Sequence, residues 1–412
     1  MKKLNYLNVV MSLAILFALS SCSKNGDKSL AQNTASKTEL TDMMSEQGSN
    51  PDEASVTENT GTDGTVLNRG TNESNGHYLY TVGNGPEKNY IISYEIKSNG
   101  MLQSNGATAS GGTGTGKGLG SQGALVLSKN HEWLFAVNAG SNTVSSFKVK
   151  DDGTLMLAHT ESTMGKEPVS VSVHDNLLYV LNRGSDNIHG FWIGAGGSLS
   201  HIAGSTQDLS SKMVDAPQIS ITPGGDWVVV TEKATNIIGT FKLKNNGSVS
   251  AGKFTTSVGP TPFGFDYSRN RFMIVSNAAG GAAGAGSSTS YIIGNNGKPD
   301  AVNGAVNSNQ AAPCWVATTK YGRYAFVTNT ASNNVSSYYV APWGALYLIA
   351  GEAAKTDMGP LDIVVAANNY YVYILNGKSN SISEYKRKFF GGLEHIGTLA
   401  NVPISAVGLA TF

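Results

Sequence analysis

The chain has 412 residues with 29 basic and 29 acidic side chains, so its formal net charge is zero. Such a weakly charged chain lacks the basic patch expected of a nucleic-acid-binding protein, and we predict no nucleic-acid partner. The 49 glycines favour a fold with many tight turns over one with long helices.

The N-terminus resembles the signal of a bacterial lipoprotein. Lys2 and Lys3 precede an apolar run at 9–19, too short to span a bilayer but as long as a signal-peptide core. The letters LSSC, ending at Cys22, resemble a lipobox, where cleavage leaves a lipid-bearing cysteine. We predict a signal peptide over 1–21 and a lipid anchor on Cys22. An ordinary signal peptide with a chance cysteine is the alternative.

The anchor implies a place in the bacterial cell envelope, held to a membrane by lipid. Ser23 stands where an Asp is linked to retention at the inner membrane, so we expect the outer membrane by analogy, with periplasmic and surface display both open. Residues 22–76 are rich in Ser, Thr, Asn, Gly, Asp and Glu and poor in large apolar residues. Such a stretch buries too little surface to offset its ordering entropy, and we predict a disordered tether.

A repeat begins at His77. Seven short strand-like segments align, among them LFAVNA at Leu134, LYVLNR at Leu178 and AFVTNT at Ala325, at intervals of about 45 residues. Each repeat has a strand that begins near a Pro, a tight turn, an aromatic and β-branched strand, an Asn-rich turn and two further strands. Four strands with these turn signals make one antiparallel blade, which predicts an all-β, seven-bladed β-propeller over 77–412.

The two ends of this region complete one blade. HYLYTV at the start lacks a first strand, and VPISAVGLATF at the end lacks the strands that would follow it. We predict that the C-terminal strand closes the first blade, which removes exposed sheet edges. Five repeats carry an Asn at the end of the second strand, and we interpret it as structural, because Asn tolerates a left-handed turn and bonds to turn backbone.

Strand order locates a candidate ligand site at one mouth of the central channel. The start of each first strand and the end of each second strand meet at that face. Side chains there could bind a small carboxylate or sugar acid or a protein partner, although solvated ion pairs at a polar rim would look the same. The ligand-binding candidates are Arg183, Gln218, Lys233, Phe263, Trp315 and Asp362.

Glu232 is a weak candidate for a catalytic base at the same mouth, whereas Cys314, in APCWVA, is expected to be a buried and inert thiol. A glycine-rich loop at 111–123 is expected to overhang this face as a flexible rim. The seven histidines have no ligand spacing, so we predict no metal and no cofactor.

NTVSSFKVKDDGTLMLA, TPFGF, AAPCWVA and GPLDIVV are similar to sequences of the lactonase-type seven-bladed propellers, a family that includes the propeller type of 6-phosphogluconolactonase and carboxymuconate cyclase. The resemblance covers about 77–412. It implies an Arg-His pair and a Glu at the mouth, but these positions fall on Phe263, Gly264 and Ala278. A Lys of the preceding blade is retained as Lys233.

Two classes of function stay open at this point. One is an envelope-anchored propeller that binds a small ligand or a protein partner without catalysis, which the missing polar groups favour. The other is a lactone hydrolase or cycloisomerase that acts on a small sugar acid or carboxylic acid, which the family resemblance favours.

Overall fold

The computed structural model describes residues 37–45, 52 and 78–412. Residues 78–412 form seven antiparallel sheets arranged as the blades of a propeller, so the predicted fold class is confirmed. The predicted signal peptide, Cys22 and most of the predicted tether lie outside the described residues. Among the residues described, no helix is long and apolar enough to cross a membrane.

We number the blades 1 to 7 along the chain, with blade 1 at the chain's first strand. The first strands line the channel, in the order of blades 2 to 7 and then 1: Leu125–Leu127, Pro168–His174, Gln218–Ile221, Pro262–Ser268, Pro313–Thr318, Pro360–Val365 and Val407–Thr411. The second strands, from blade 1 to blade 7, are Tyr78–Val82, Trp133–Asn138, Leu177–Asn182, Trp227–Glu232, Phe272–Asn277, Tyr324–Asn329 and Tyr371–Asn376.

Two further layers complete each blade. The third strands are Tyr90–Ile96, Thr143–Val149, Asn187–Ile193, Ile237–Lys242, Ser287–Ile293, Asn334–Val340 and Ser381–Arg387. The outer strands are Leu102–Ala109, Leu155–Ser162, Leu199–His201 with Gln207–Asp208, Lys253–Thr256, Pro299–Ala301 with Val306–Asn307, Leu346–Lys355 and Leu393–Leu399. The remaining elements are the α-helix Lys37–Ser45 and the 3-10 turns Ala195–Gly197, Ala279–Gly281 and Phe389–Gly391.

The second strands are buried on both faces, because each blade packs between two neighbours. Strands such as Tyr324–Asn329 therefore lack the alternation of apolar and polar residues that a half-exposed strand shows. Tyrosines on these strands fasten one blade to the next through a glycine turn. The hydroxyl of Tyr80 donates to the carbonyl of Gly153 at 2.9 Å, and that of Tyr179 to Gly247 at 2.6 Å.

The C-terminal strand closes blade 1, as predicted. Val407–Thr411 pairs antiparallel with Tyr78–Val82, with Tyr80 opposite Ala410. The two ends of the propeller are therefore held in one sheet.

The repeated Asn is structural, but for a different reason from the one predicted. Asn138 ends a strand and is fully buried, and its amide donates to the hydroxyls of Thr143 at 3.0 Å and Ser145 at 2.8 Å on the third strand. The left-handed turn conformation belongs instead to the residue four positions later, Asn142, with φ 58°. In the five repeats that carry this Asn, its amide thus ties the second strand to the third.

Polar side chains occupy the edges of the first strands that face the channel. The amide of Gln218 in blade 4 donates to the carbonyl of Phe265 in blade 5 at 2.8 Å and accepts from its N–H at 2.6 Å. Asp266 of blade 5 accepts from the N–H of Thr318 in blade 6 at 2.8 Å. Asp362 of blade 7 accepts from the N–H of Leu409 at 3.0 Å. These side chains replace the ladder partners that the innermost strands lack.

The channel enclosed by these strands has a cavity of about 280 Å³, and Asp266 and Asp362 both line it. Burial raises the pKa of Asp362 to about 8 and raises the pKa of Asp266 above its ordinary value. Two backbone N–H groups, those of Ile363 and Leu409, oppose this shift at Asp362 but do not cancel it.

Part of the predicted tether is packed against the propeller. In the helix Lys37–Ser45, Leu40 and Met44 are buried, and the carbonyl of Met44 accepts from the guanidinium of Arg323. The carboxylate of Asp52, fully buried, accepts from the hydroxyl of Thr319 at 2.8 Å.

The other partners of Asp52 come from blades 6 and 7. Its carboxylate accepts from the N–H of Arg323 at 3.0 Å and from the amide of Asn369 at 2.9 Å, and its carbonyl accepts from the guanidinium of Arg387. Arg323 and Asn369 lie in turns between first and second strands and Arg387 ends the third strand of blade 7, so all three are at the face opposite the predicted mouth. The segment therefore joins two blades, and no helix was predicted there.

We predict that Asp52→Ala lowers the free energy of unfolding by about 3 kcal/mol, because several buried donors lose their acceptor. Urea unfolding of the full chain measures this loss, and limited proteolysis should show faster cleavage around 37–52. Asp208→Ala, which removes an exposed carboxylate, serves as the control. Unchanged unfolding and proteolysis of the Asp52 variant would show that the segment does not dock in solution.

A second prediction concerns pH. The Asp362 carboxyl has a pKa of about 8 when folded and about 4 when unfolded, so the folded state holds one more proton between these values. The free energy of unfolding should therefore fall as pH rises from about 4 to about 8. Asp362→Asn should flatten part of this slope, with Asp266 supplying the rest. Parallel urea-unfolding curves for the two proteins between pH 4 and pH 9 would contradict the assignment.

Candidate functional site

Two cations lie at the predicted mouth of the channel, each directly after the end of a second strand. Arg183 follows blade 3's Leu177–Asn182, and Lys233 follows blade 4's Trp227–Glu232. The sequence predicted both as anion contacts, and the structure brings them to one carboxylate, that of Asp215. Lys233 Nζ lies 3.0 Å from Asp215 Oδ2, and Arg183 Nη1 lies 3.9 Å from Oδ1.

Asp215 and Glu167 are the residues that sequence reasoning missed. Asp215 stands in the loop between blades 3 and 4 with φ 50°, and 52% of its side chain is exposed. Glu167, at the start of blade 3, also has a positive φ, and its carboxylate accepts from Arg183 Nη2 at 2.6 Å. The left-handed backbone at both positions turns the loops so that two carboxylates face the two cations.

An aromatic floor lies beside the cations. The ring centroids of Phe263 and Trp315 are 5.1 Å apart, and Lys233 Nζ lies 4.6 Å from the Phe263 centroid. Both rings are buried. An ammonium over an aromatic face is attracted by the ring quadrupole, so Phe263 helps to hold Lys233 in place.

The loop at 119–122 crosses the mouth. The carbonyl of Leu119 accepts from Arg183, and the carbonyl of Gly120 lies 3.5 Å from Lys233 Nζ. The carbonyl of Ser121 accepts from the indole of Trp315 at 2.9 Å. The expected flexible overhang is therefore a bonded segment that occupies part of the surface of both cations.

Gln122 extends this loop across the channel axis. Its amide donates to the carbonyl of Val316 in blade 6 at 2.7 Å and accepts from the N–H of the same residue at 3.1 Å. Its N–H donates to Pro217 in blade 4, and its carbonyl accepts from Ser170 in blade 3 at 2.6 Å. The loop thus ties three blades together above the channel.

Three predicted site residues have other roles in the structure. The carboxylate of Glu232 is buried and accepts from the N–H of Ser210 at 3.0 Å and from the hydroxyl of Thr235 at 2.7 Å. It is engaged away from the two cations, and this geometry does not support a role as catalytic base. The side chains of Gln218 and Asp362 accept hydrogen bonds from backbone N–H groups at the edges of neighbouring first strands, deeper in the channel. They therefore have a structural role as well.

Gly264, one of the three positions where the family resemblance placed polar groups, has no room for a side chain. A Cβ on Gly264 would lie 2.3 Å from Gln122 Oε1 and 2.6 Å from the carbonyl of Cys314. The loop therefore fills the space above Gly264. Cys314 itself is buried, and burial raises the pKa of its thiol to about 11, which keeps it protonated and unreactive, as expected.

The arrangement can therefore bind an anionic or polar ligand from the solvent side of the mouth. Lys233 and Arg183 supply charge-assisted donors, and Asp215 is a half-exposed carboxylate held between them that water can reach. Glu167 sets the orientation of Arg183. A carboxylate of this kind can accept a proton, and the two cations can stabilise negative charge on a ligand.

Comparison with known proteins supports the fold. Residues 70–213 match the model of the family "Lactonase, 7-bladed beta-propeller". No curated protein matches the chain. Among solved structures, a candidate 6-phosphogluconolactonase from Bacteroides fragilis has a TM-score of 0.67 at 18% sequence identity, with 83% of this chain and 100% of that chain covered.

A second solved structure is the periplasmic gluconolactonase of Pseudomonas aeruginosa. Its TM-score is 0.64 at 16% identity, with 81% of this chain and 99% of that chain covered. At such low identity these structures establish the fold alone. Together with the match over 70–213, they confirm the resemblance predicted from the sequence: the chain folds as a seven-bladed β-propeller and is similar to the lactonase-type propellers.

Proposed function

We propose that the protein hydrolyses the lactone of a small sugar acid at the channel mouth. The observation that carries this proposal is the half-exposed carboxylate of Asp215, 3.0 Å from the ammonium of Lys233, beside Arg183 and in a propeller of the lactonase type. The names of the two similar structures, both lactonases of sugar acids, support the choice of substrate.

Asp215 acts as the general base in this proposal. Its carboxylate takes a proton from a water molecule, whose oxygen attacks the carbonyl carbon of the lactone. The ammonium of Lys233 stabilises the negative charge that develops on the carbonyl oxygen. The ring C–O bond then breaks, the proton returns from Asp215 to the leaving alkoxide, and the product is an open-chain hydroxy acid. Arg183 binds an anionic or hydroxyl group at the other end of the substrate.

A second candidate is binding of a sugar acid or small carboxylate without turnover. The loop at 119–122 favours it, because the loop fills the space above Gly264 where the family resemblance implied polar groups. The two cations at the mouth would serve either function.

We also propose that the protein is a lipoprotein of the cell envelope, anchored at the outer membrane through Cys22. The basic start, the short apolar run and the lipobox-like LSSC support this proposal.

The first test is turnover of gluconolactone and 6-phosphogluconolactone by the full chain. We expect Asp215→Asn to lower kcat/KM by about 100-fold or more, because a general base contributes that much. Asp208→Asn, on an exposed carboxylate at the outer strand that precedes this loop, should have no effect. Glu232→Gln should lower the melting temperature, whereas its effect on kcat/KM should be smaller than that of Asp215→Asn.

Two results would overturn the assignment. Loss of turnover in Glu232→Gln with unchanged melting would move the base to Glu232. No turnover of either lactone, with gluconate binding that disappears in Arg183→Ala/Lys233→Ala, would leave the non-catalytic binding function.

The second test concerns the anchor. Cys22→Ser should leave the protein uncleaved or in the soluble fraction, because the lipid is attached to that sulfur. Membrane fractionation, with mass measurement of the mature N-terminus, checks this outcome. A processed Cys22→Ser variant that stays in the membrane fraction as the parent does would rule out lipidation there.

A further inference from the structure

The turns between third and outer strands are equivalent in all seven blades. They lie at the face opposite the mouth, because antiparallel strands place these turns and those between first and second strands on one side. Their tip residues are small or polar in blades 1 to 5: Ser-Asn at 98–99, Asp-Asp at 151–152, Ala-Gly at 195–196 and Asn-Asn at 245–246 and 295–296. Such residues are the usual choice for exposed tight turns.

Blades 6 and 7 depart from this pattern. Their tips are Pro342-Trp343 and Phe389-Phe390. The side chain of Trp343 is 56% exposed, that of Phe389 45% and that of Phe390 47%. Tyr321, in the turn between the first and second strands of blade 6, is 44% exposed on the same face. Four large aromatic side chains are therefore about half exposed at neighbouring turns of one face.

These turns are rigid supports. The N–H of Gly344 donates to the carbonyl of Ala341 at 2.8 Å, and φ at Gly344 is 91°, which only glycine adopts readily. In blade 7, Lys388 and Gly392 close the turn through a 2.8 Å backbone bond. The aromatic rings are thus held at the ends of ordered hairpins.

Lysines accompany the aromatic residues. Lys320 Nζ lies 5.9 Å from the Tyr321 ring centroid, and Lys388 precedes the Phe-Phe pair and bonds to Glu394 at 2.6 Å. Aromatic rings with lysines at their edge are the composition found where proteins meet the headgroup region of a bilayer.

The described part of the N-terminal segment also lies at this face. Met44 and Asp52 are bound by Arg323 and by the neighbouring turns of blades 6 and 7. Cys22 precedes Lys37 by 15 positions, a length of chain that spans at most about 50 Å when fully extended. Asp52 and the aromatic turns therefore lie on the same face of the propeller, within reach of the predicted lipid.

We propose that the turns of blades 6 and 7 carrying Tyr321, Trp343, Phe389 and Phe390 form a membrane-docking surface that enters the headgroup region of a lipid bilayer. The occupant is a bilayer rather than a protein, because the surface combines aromatic residues with lysines beside the segment that leads to the predicted lipid. The channel mouth then faces away from the membrane. This inference is independent of lactone hydrolysis.

The test uses the full chain, as isolated, reconstituted into vesicles of phosphatidylethanolamine and phosphatidylglycerol with dibrominated acyl chains. Bromine quenches only tryptophans at or in the bilayer. One tryptophan of five would be affected, so we expect loss of about a fifth of the emission. Trp343→Phe should abolish this quenched component, whereas the double variant Phe389→Asn/Phe390→Asn should reduce the quenching of Trp343.

Met213→Ser is the matched control. It removes an exposed apolar side chain, 85% accessible, from a loop on the mouth side, and quenching should stay unchanged. Normal melting of each variant shows that it is folded. Absence of quenching in the parent protein, failure of the parent to float with the vesicles, or equal quenching in Trp343→Phe would overturn the proposal. The aromatic turns would then be assigned to a protein partner.

Discussion

The channel-facing edges of the seven innermost strands impose the constraint on which the rest of the structure depends. Each of these strands pairs with its own blade on one side only, and an unpaired buried backbone group costs about 1–3 kcal/mol. Side chains of the preceding blade supply the missing partners, as Gln218 does for Phe265 and Asp362 for Leu409. Polar residues inside the channel are therefore committed to holding the ring, and ligand chemistry is confined to the rim above them.

This constraint explains which parts of the site could be predicted from the sequence. The repeat period predicted the fold, because every blade packs the same arrangement of strands against its two neighbours. Arg183 and Lys233 follow equivalent strand ends and could be placed at one mouth by counting. Glu232 was predicted as a weak candidate base, but it occupies the position of the repeated Asn and, like that Asn, is buried and hydrogen-bonded to nearby groups of the fold. Asp215 could not be found, because it lies in an irregular loop whose position depends on contacts distant in sequence.

The loop at 119–122 determines which groups occupy the mouth of the channel. In this chain Gly264 has no side chain, and Gln122 occupies the space above it while bonding to Val316 and Pro217. A loop that satisfies backbone edges in three blades cannot be exchanged for single polar side chains without leaving those edges unpaired. The polar side chains of the mouth accordingly lie at blades 3 and 4, where Arg183 and Lys233 contact both the loop and Asp215.

The direction of the strands places the polar residues of the mouth and the aromatic turns on opposite faces of the propeller. Turns between second and third strands, and connections between blades, lie on the mouth side, while the remaining turns lie on the other side. A change of tip residue in a hairpin turn leaves the blade core intact, since the turn bonds involve backbone atoms. The face bearing Trp343 and Phe389 can therefore differ from blade to blade without altering the mouth. The described part of the N-terminal segment lies on that same face, because Asp52 binds the turns of blades 6 and 7 there, and it therefore packs at the end of the ring opposite the mouth.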